Sequence, residues 1–287
     1  MEIKKIGMLG AGAMGNGISQ VCAQSGYEVI MRDIADEFVQ RGMKTIEGFL
    51  TKSVEKGKLS EDDKKATLSR IKGTTQVSDL KDVDFVIEAV IEDLELKKQV
   101  FQEMDELTRP EVILATNTSS MSITEIAAAT KRPDKVLGMH FFNPAPLMRL
   151  VEVIKGLETS EETIKVTWEL TEKLGKLPVL VKKDTPGFIV NRLMMLQLME
   201  AIKIYEEGIA SIEDIDTAVK AGLNHPMGSF ELMDLTGLDI NYYVSEYFHR
   251  EMNQELKHVT PHTLKAMVRA NKLGRKTGQG WYKYDKK

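Results

Sequence analysis

The sequence contains little cysteine and no metal-binding cluster. Cys22 is the single cysteine among 287 residues, so the chain cannot form an internal disulfide bond. A lone thiol is typical of proteins in a reducing compartment, and we therefore expect a cytoplasmic protein with Cys22 in its core. Cysteines and histidines do not occur at the spacings that hold structural zinc, so we expect no metal site.

Long apolar segments and a charge excess are also absent. The most apolar later stretch, residues 193–202, contains Gln197 and Glu200 and is far too short to span a bilayer. The 39 basic and 43 acidic side chains give a formal net charge of −4, which argues against a nucleic-acid or polybasic membrane surface. A first strand that begins by Ile3 leaves no room for a signal peptide. We therefore expect neither nucleic-acid nor membrane partners.

A glycine-rich motif, GAGAMG at residues 10–15, lies between a predicted strand and a predicted helix. In this G-x-G-x-x-G pattern Gly10 permits the tight turn, Gly12 lets the backbone approach a pyrophosphate, and Gly15 lets the helix lie close to the strand. The helix N-terminus then faces the phosphates with its unpaired N–H groups. The motif predicts a dinucleotide site.

An acid follows the second predicted strand, Tyr27 to Arg32, at the position where such folds hold an adenosine ribose. Asp33 can accept hydrogen bonds from the ribose hydroxyls and repel a 2′-phosphate, which favours NAD over NADP. Arg32 could receive that phosphate instead, so the choice of cofactor stays open on these residues alone.

The order of predicted elements indicates two domains. Strands alternate with helices up to about Asp184, with a charged helical hairpin over residues 36–70, and the remainder is almost purely helical. We predict an α/β fold with a Rossmann-type doubly wound sheet in residues 1–184, followed by an all-α domain in residues 185–287. Asp184 and Pro186 are the expected start of a helix that runs to about Glu207.

Two polar positions in apolar surroundings are site candidates. Ser119 follows a predicted strand at the carboxyl edge of the sheet, where doubly wound folds bind ligands. It could equally be the N-cap of a helix near Ile123, a role that Ser120 or Ser122 could also take. Asn191 interrupts an apolar helix and is either a satisfied amide or a donor directed at the cleft between the domains.

One ionisable residue accompanies each of two apolar strands around a Pro-rich turn. His140 stands in HFFNPAP and Glu152 in LVEVI, with the turn at residues 144–146 between them. They could be a surface histidine and a solvated glutamate on an edge strand, or a pair that meets across a hairpin. An imidazole whose second nitrogen is hydrogen-bonded to a carboxylate is a typical general acid–base pair.

Taken together, the motifs resemble the 3-hydroxyacyl-CoA dehydrogenases, and most closely the bacterial 3-hydroxybutyryl-CoA dehydrogenases. The resemblance extends over essentially the whole chain. It is carried by the glycine loop, NTSS at 117–120, HFFNPAP at 140–146, LVEVI at 150–154, DTPGFIVNR at 184–192, NHPMG at 224–228 and KTGQGWYKY at 276–284.

The resemblance implies NAD as the cofactor, an acyl-CoA substrate and a homodimer formed through the helical domain. It implies that His140 is the acid–base, that Glu152 orients it, that Ser119 and Asn191 contact the substrate near the reacting carbon, and that Lys56 contacts coenzyme A. The implied cofactor contacts are Gly10, Ala11, Gly12, Ala13, Met14, Gly15, Asp33, Glu92, Lys97, Ser119, Asn143 and Lys276.

Two departures from the family pattern and two rival functions accompany this interpretation. Phe49 stands where some relatives carry a serine that contacts coenzyme A, and Ser229 replaces a common proline. The rivals are a dehydrogenase of a small free hydroxy acid, of the gulonate type, and a non-catalytic NAD-binding protein. Dehydrogenases that use a lysine on the corresponding helix are disfavoured, because the chain has Asn191 in that turn.

Overall fold

The computed structural model describes residues 2–252 and 259–284, and the chain divides into two compact units, residues 1–185 and 186–287. The first unit contains eight strands: β1 (Lys5–Leu9), β2 (Glu28–Arg32), β3 (Ile71–Thr74), β4 (Phe85–Glu88), β5 (Ile113–Thr116), β6 (Val136–Phe141), β7 (Leu150–Ile154) and β8 (Leu177–Val181). Its helices are α1 (Ala13–Gln24), α2 (Asp36–Glu55), α3 (Glu61–Ser69), α4 (Leu94–Leu107), α5 (Ile123–Ala127) and α6 (Glu161–Lys173).

The eight strands form one sheet in the order β3-β2-β1-β4-β5-β6-β7-β8. Strands β1 to β6 are parallel, β7 is antiparallel to β6, and β8 is parallel to β7. Every residue of β4, β5 and β6 is buried, as expected for a parallel sheet covered on both faces. This confirms the predicted α/β fold with a doubly wound sheet.

Two apolar cores cover the two faces of the sheet. One joins α1, α2 and α6 to the strands and includes Cys22, which is buried as predicted, and burial raises the pKa of its thiol to about 12. The other joins α4 and α5 to the opposite face. Residues 100, 101 and 104 of α4 lie in that core, and Lys97 shares the same buried stripe one turn earlier.

The predicted helical hairpin is confirmed as α2 and α3. The two helices are separated at Gly57, which has a positive φ of 66°, and Ser60 caps α3 by accepting a hydrogen bond from the backbone N–H of Asp63 at 3.0 Å. The edge strand β3 was not predicted from the sequence.

The predicted helix start at Asp184 and Pro186 is wrong. The helix α7 begins at Val190, because Gly187 and Phe188 both have positive φ angles, which a right-handed helix does not allow. The carboxylate of Asp184 instead accepts hydrogen bonds from the hydroxyl of Ser122 and the backbone N–H of Thr124 at the start of α5, at 2.7 and 2.8 Å.

The second unit is helical, as predicted. It contains α7 (Val190–Glu206), α8 (Ile212–Gly222), α9 (Ser229–Thr236), α10 (Leu238–Glu251) and α11 (His262–Arg269). Met199 of α7 is buried, whereas the apolar side chain of Leu193 is 65% exposed. The buried stripe runs instead through Met195, Leu198 and Ile202.

The C-terminal segment is held within the second unit by the buried carboxylate of Asp234. It accepts hydrogen bonds from the backbone N–H groups of Trp281 and Tyr282, both at 2.9 Å, and from the hydroxyl of Tyr284. Burial and this carboxylate raise the pKa of Tyr284 to about 12. In the part of the chain that the structure describes, no helix is both long enough and apolar enough to cross a membrane.

Candidate active site

His140 and Glu152 form a hydrogen-bonded pair inside the first unit. They are directly opposite each other in the antiparallel register of β6 and β7, so their side chains project from the same face of the sheet. Nδ1 of His140 lies 2.7 Å from Oε2 of Glu152, and the two residues are 5% and 0% exposed. The edge-strand alternative is wrong, because β8 pairs with the other side of β7.

The loop between these two strands is fixed from two sides. Lys176 is buried and donates hydrogen bonds from Nζ to the carbonyl oxygens of Ala145 and Met148, at 2.6 and 2.8 Å. Burial lowers the pKa of this ammonium group. On the other side α1 packs against the loop at Gly17, where a Cβ atom would lie 3.2 Å from Pro146. Lys176 was not singled out in the sequence.

The glycine loop has the geometry that a dinucleotide needs. Gly10 has a φ of 99°, and a Cβ atom on Gly15 would lie 1.9 Å from the carbonyl oxygen of Gly10, so both positions require glycine. A Cβ atom on Gly12 would meet nothing within 4 Å, which leaves open space at the N-terminus of α1. The residues therefore fit a phosphate group at this helix end.

Asp33 is held at the end of β2 by backbone donors. Its carboxylate accepts hydrogen bonds from the N–H groups of Ala11 and Ile34, both at 2.7 Å. Gly10, Gly12 and Asp33 line one cavity of about 300 Å³, together with Arg32 and Arg41. The glycine loop and the acid thus share one cavity.

A charge cluster, which we define as Glu88, Lys97 and Glu92, lies at the carboxyl edge of the sheet, with Glu88 and Lys97 buried and Glu92 exposed. Nζ of Lys97 lies 2.7 Å from Oε1 of Glu88 and 3.1 Å from Oε2 of Glu92. Lys97 is only 1% exposed. Glu88 was not predicted from the sequence. Its position was recognisable, because it ends an otherwise apolar strand and Lys97 lies on the buried stripe of the next helix.

Ser119 lies next to this charge cluster. Its backbone N–H donates a hydrogen bond to Oε1 of Glu92 at 3.1 Å, and the hydroxyl of Thr118 donates to the same oxygen. Ser122 is the residue that caps α5, through a hydrogen bond from the N–H of Glu125. The capping alternative for Ser119 is therefore wrong.

The other predicted site residues lie at separate places. Asn143 is exposed in the loop after β6, and Lys56 is exposed directly after α2. Asn191 is half-buried in the first turn of α7, in the second unit. Lys276, in the same unit, forms an ion pair with Asp239 at 2.6 Å. Burial raises the pKa of Asp239, but the hydrogen bond and the charge of Lys276 outweigh it, so the net shift is downward.

Comparison with known families and proteins gives matches over nearly the whole chain. Residues 5–185 match the model of the NAD binding domain of 3-hydroxyacyl-CoA dehydrogenase, and residues 187–284 match the model of its C-terminal domain. The 3-hydroxybutyryl-CoA dehydrogenase of Clostridioides difficile is 47% identical over 98% of this chain and 100% of its own length. The human mitochondrial hydroxyacyl-coenzyme A dehydrogenase is 44% identical over 98% of this chain and 91% of its own length.

A solved structure shares this fold. The (S)-3-hydroxybutyryl-CoA dehydrogenase PaaH1 from Ralstonia eutropha superposes with a TM-score of 0.96 at 46% identity, over 99% of this chain and 100% of that one. The family models account for both compact units, and the relatives match the chain end to end. The chain belongs to the 3-hydroxyacyl-CoA dehydrogenase family.

Proposed function

We propose that this protein is an NAD-dependent dehydrogenase that interconverts (S)-3-hydroxybutyryl-CoA and acetoacetyl-CoA. The observation that carries the proposal is the 2.7 Å contact between Nδ1 of His140 and Oε2 of Glu152 in the unit that also contains the glycine loop. The names of the relatives from Clostridioides difficile and Ralstonia eutropha support this substrate. Fatty acid oxidation and butyrate-forming fermentation are the metabolic settings in which this interconversion is expected.

The residues proposed to bind the cofactor begin with those that line the cavity of Gly10, Gly12 and Asp33. The glycine loop would bind the pyrophosphate of NAD, and Asp33 would accept hydrogen bonds from the adenosine ribose. Glu92, Lys97, Ser119, Asn143 and Lys276 would be the further contacts to the cofactor. When it is bound, NAD supplies the hydride acceptor for the alcohol.

His140 would transfer the proton of the substrate hydroxyl. An alcohol is too weak an acid to lose its proton unaided, so oxidation at C3 needs a base at the oxygen, and reduction needs an acid there. The carboxylate of Glu152 accepts the hydrogen bond from Nδ1, which directs the other ring nitrogen to the substrate and stabilises the imidazolium. Such proton transfer typically contributes about 10²- to 10⁴-fold in rate.

The remaining proposed contacts are to the substrate. Ser119 and Asn191 would hydrogen-bond the substrate near its reacting carbon. Lys56 is an exposed cation directly after α2. Its ammonium group would bind a phosphate of coenzyme A by charge attraction. Phe49 lies half-buried in the same helix and would offer coenzyme A an apolar surface instead of a hydroxyl.

We further propose a cytoplasmic homodimer assembled through the helical unit. Large apolar side chains are exposed on its helices, among them Leu193, Ile240 and Tyr243, which are 65%, 52% and 68% exposed. Exposed apolar surface of this kind is typical of a protein interface. Light scattering coupled to size-exclusion chromatography measures the mass directly, and a monomer at micromolar concentration would contradict this part of the proposal.

The experiment that tests the proposed function follows the absorbance of NADH with matched substrates. We expect acetoacetyl-CoA to be reduced and free acetoacetate and gulonate-type acids to be inert. Preference for a free acid would favour the gulonate-type alternative. No turnover of any of them, with NADH still bound, would favour the non-catalytic alternative.

A further inference from the structure

Glu88 is the most deeply buried member of the charge cluster. Its side chain is fully buried at the end of β4, and three donors converge on its carboxyl group. Oε1 accepts hydrogen bonds from Nζ of Lys97 and the N–H of Val90, and Oε2 accepts one from the hydroxyl of Thr116, all at 2.7 Å. This set of contacts ties Glu88 to Lys97 and to the end of the neighbouring strand β5.

The charge cluster carries one more acid than base. Lys97 is shared by the carboxyl groups of Glu88 and Glu92, which gives a formal net charge of −1. Within the described part of the first unit, residues 2–185, no second lysine or arginine nitrogen lies within 4.0 Å of either carboxyl group. Glu88 and Lys97 are buried, so water screens their charges less than it would at the surface, whereas Glu92 is 38% exposed.

The negative end of the charge cluster adjoins Ser119. Glu92 accepts the hydrogen bond from the backbone N–H of Ser119, at 3.1 Å. Under the proposed function Ser119 contacts the substrate near its reacting carbon, and hydride transfer requires the nicotinamide ring to touch that carbon. The ring carries a positive charge in NAD⁺ and none in NADH, so a nearby negative charge stabilises the oxidised form more.

We propose that Glu88 is a positioning residue that fixes Lys97 and Glu92, and that the charge it adds makes the site bind NAD⁺ more tightly relative to NADH. This inference rests on the proposed function, since it requires the nicotinamide to lie at the carboxyl edge of the sheet. Glu88 would thus influence the relative affinities of the site for NAD⁺ and NADH without contacting the cofactor.

The test measures the dissociation constants of NAD⁺ and NADH by calorimetric titration of the full-length protein. Glu88→Gln removes the charge and keeps the shape, and we expect the ratio Kd(NAD⁺)/Kd(NADH) to rise by roughly tenfold, the order expected for one charge about 12 Å from the ring at an effective dielectric constant of about 20. Two controls should leave the ratio unchanged. Thr116→Val removes no charge; it removes the hydrogen bond to Glu88 and the acceptor of the backbone N–H of Thr118. Asp105→Asn removes a carboxylate that pairs with Arg132 at 2.8 Å near the far end of α4.

A second variant covers the case in which Glu88→Gln does not fold. Ser120 is partly exposed, and its hydroxyl lies 3.4 Å from Oε1 of Glu92, so Ser120→Lys adds a positive charge beside the cluster without altering the core. The ratio should again rise. An unchanged ratio in the folded variants, or an equal rise in Asp105→Asn, would overturn the inference. Wild-type protein that binds neither form would instead contradict the proposed function.

Discussion

His140 and Glu152 occupy opposite positions in the antiparallel register of β6 and β7, and their side chains meet at 2.7 Å although 11 residues separate them in the chain. The reversal between them is a loop held by Lys176 and packed on α1. Strand pairing therefore determines the geometry of the proposed acid–base pair.

Replacing the carboxylate of Glu152 should slow the reaction without weakening the binding of the cofactor. Glu152→Gln keeps the shape but removes the charge that stabilises the imidazolium, and a hydrogen bond to a charged group is worth about 1.5–3 kcal/mol. We expect kcat to fall by roughly 10- to 100-fold with an unchanged Kd for NADH. Glu158→Gln, at an exposed position, is the matched control. Equal kcat values for the two variants would contradict the role of Glu152.

Cofactor choice should depend on Asp33. Asp33→Ser removes the acid that repels a 2′-phosphate, while Arg32 and Arg41 remain in the same cavity. We expect the wild type to prefer NADH and the variant to lose much of this preference, measured as the ratio of kcat/KM for NADH and NADPH. Asp36→Ser, at an exposed acid of α2, should behave as the wild type does. A wild type that prefers NADPH would refute the role of Asp33.

Two glycines of the loop should respond differently to the same substitution. A Cβ atom on Gly15 would clash with the carbonyl of Gly10 at 1.9 Å, so Gly15→Ala should lower the melting temperature. A Cβ atom on Gly12 meets no protein atom within 4 Å, so Gly12→Ala should fold normally and bind NADH more weakly by blocking the approach of the pyrophosphate. Gly12→Ala with wild-type affinity for NADH would show that the phosphates bind elsewhere.

Lys176 should influence kinetics as well as stability. Lys176→Met leaves the carbonyl oxygens of Ala145 and Met148 without their donor, a loss of about 1–3 kcal/mol in the free energy of unfolding. Because that loop carries Asn143 and joins β6 to β7, we expect a higher KM for NADH and a lower kcat. Leu170→Ala, on the buried face of α6, is the control. It should cost about 2–5 kcal/mol of stability and leave KM unchanged. A shared kinetic defect would mean that Lys176 acts only through stability.

Most strands and helix starts were predictable because their signals are local. The strands at the centre of the sheet are mainly apolar runs. Ser60 and Ser211 precede their helices as N-caps and accept hydrogen bonds from the backbone N–H groups three residues later. Strand β3 was missed because it is an edge strand in which Lys72 and Gly73 are exposed, so it has no apolar run. The start of α7 was misplaced because backbone angles at residues 187 and 188 override a plausible capping sequence.

The site was predictable only where a motif marks it. The glycine loop could be read from its spacing, whereas the pairing of His140 with Glu152 was one of two alternatives on the residues alone and was favoured by the resemblance to the family. Lys176 acts through the end of its side chain on carbonyl groups 31 and 28 residues away in the chain, and no local spacing reveals which carbonyl groups that end will reach. The three-dimensional structure was needed for these contacts.

The most direct measurement compares wild type and His140→Gln in two assays on the same preparations, acetoacetyl-CoA reduction and NADH binding. We predict that the variant binds NADH with the affinity of the wild type and that its kcat falls by about 10²- to 10⁴-fold. A variant that retains full reductase activity would contradict the assignment of His140 as the acid–base, and with it the account of the site.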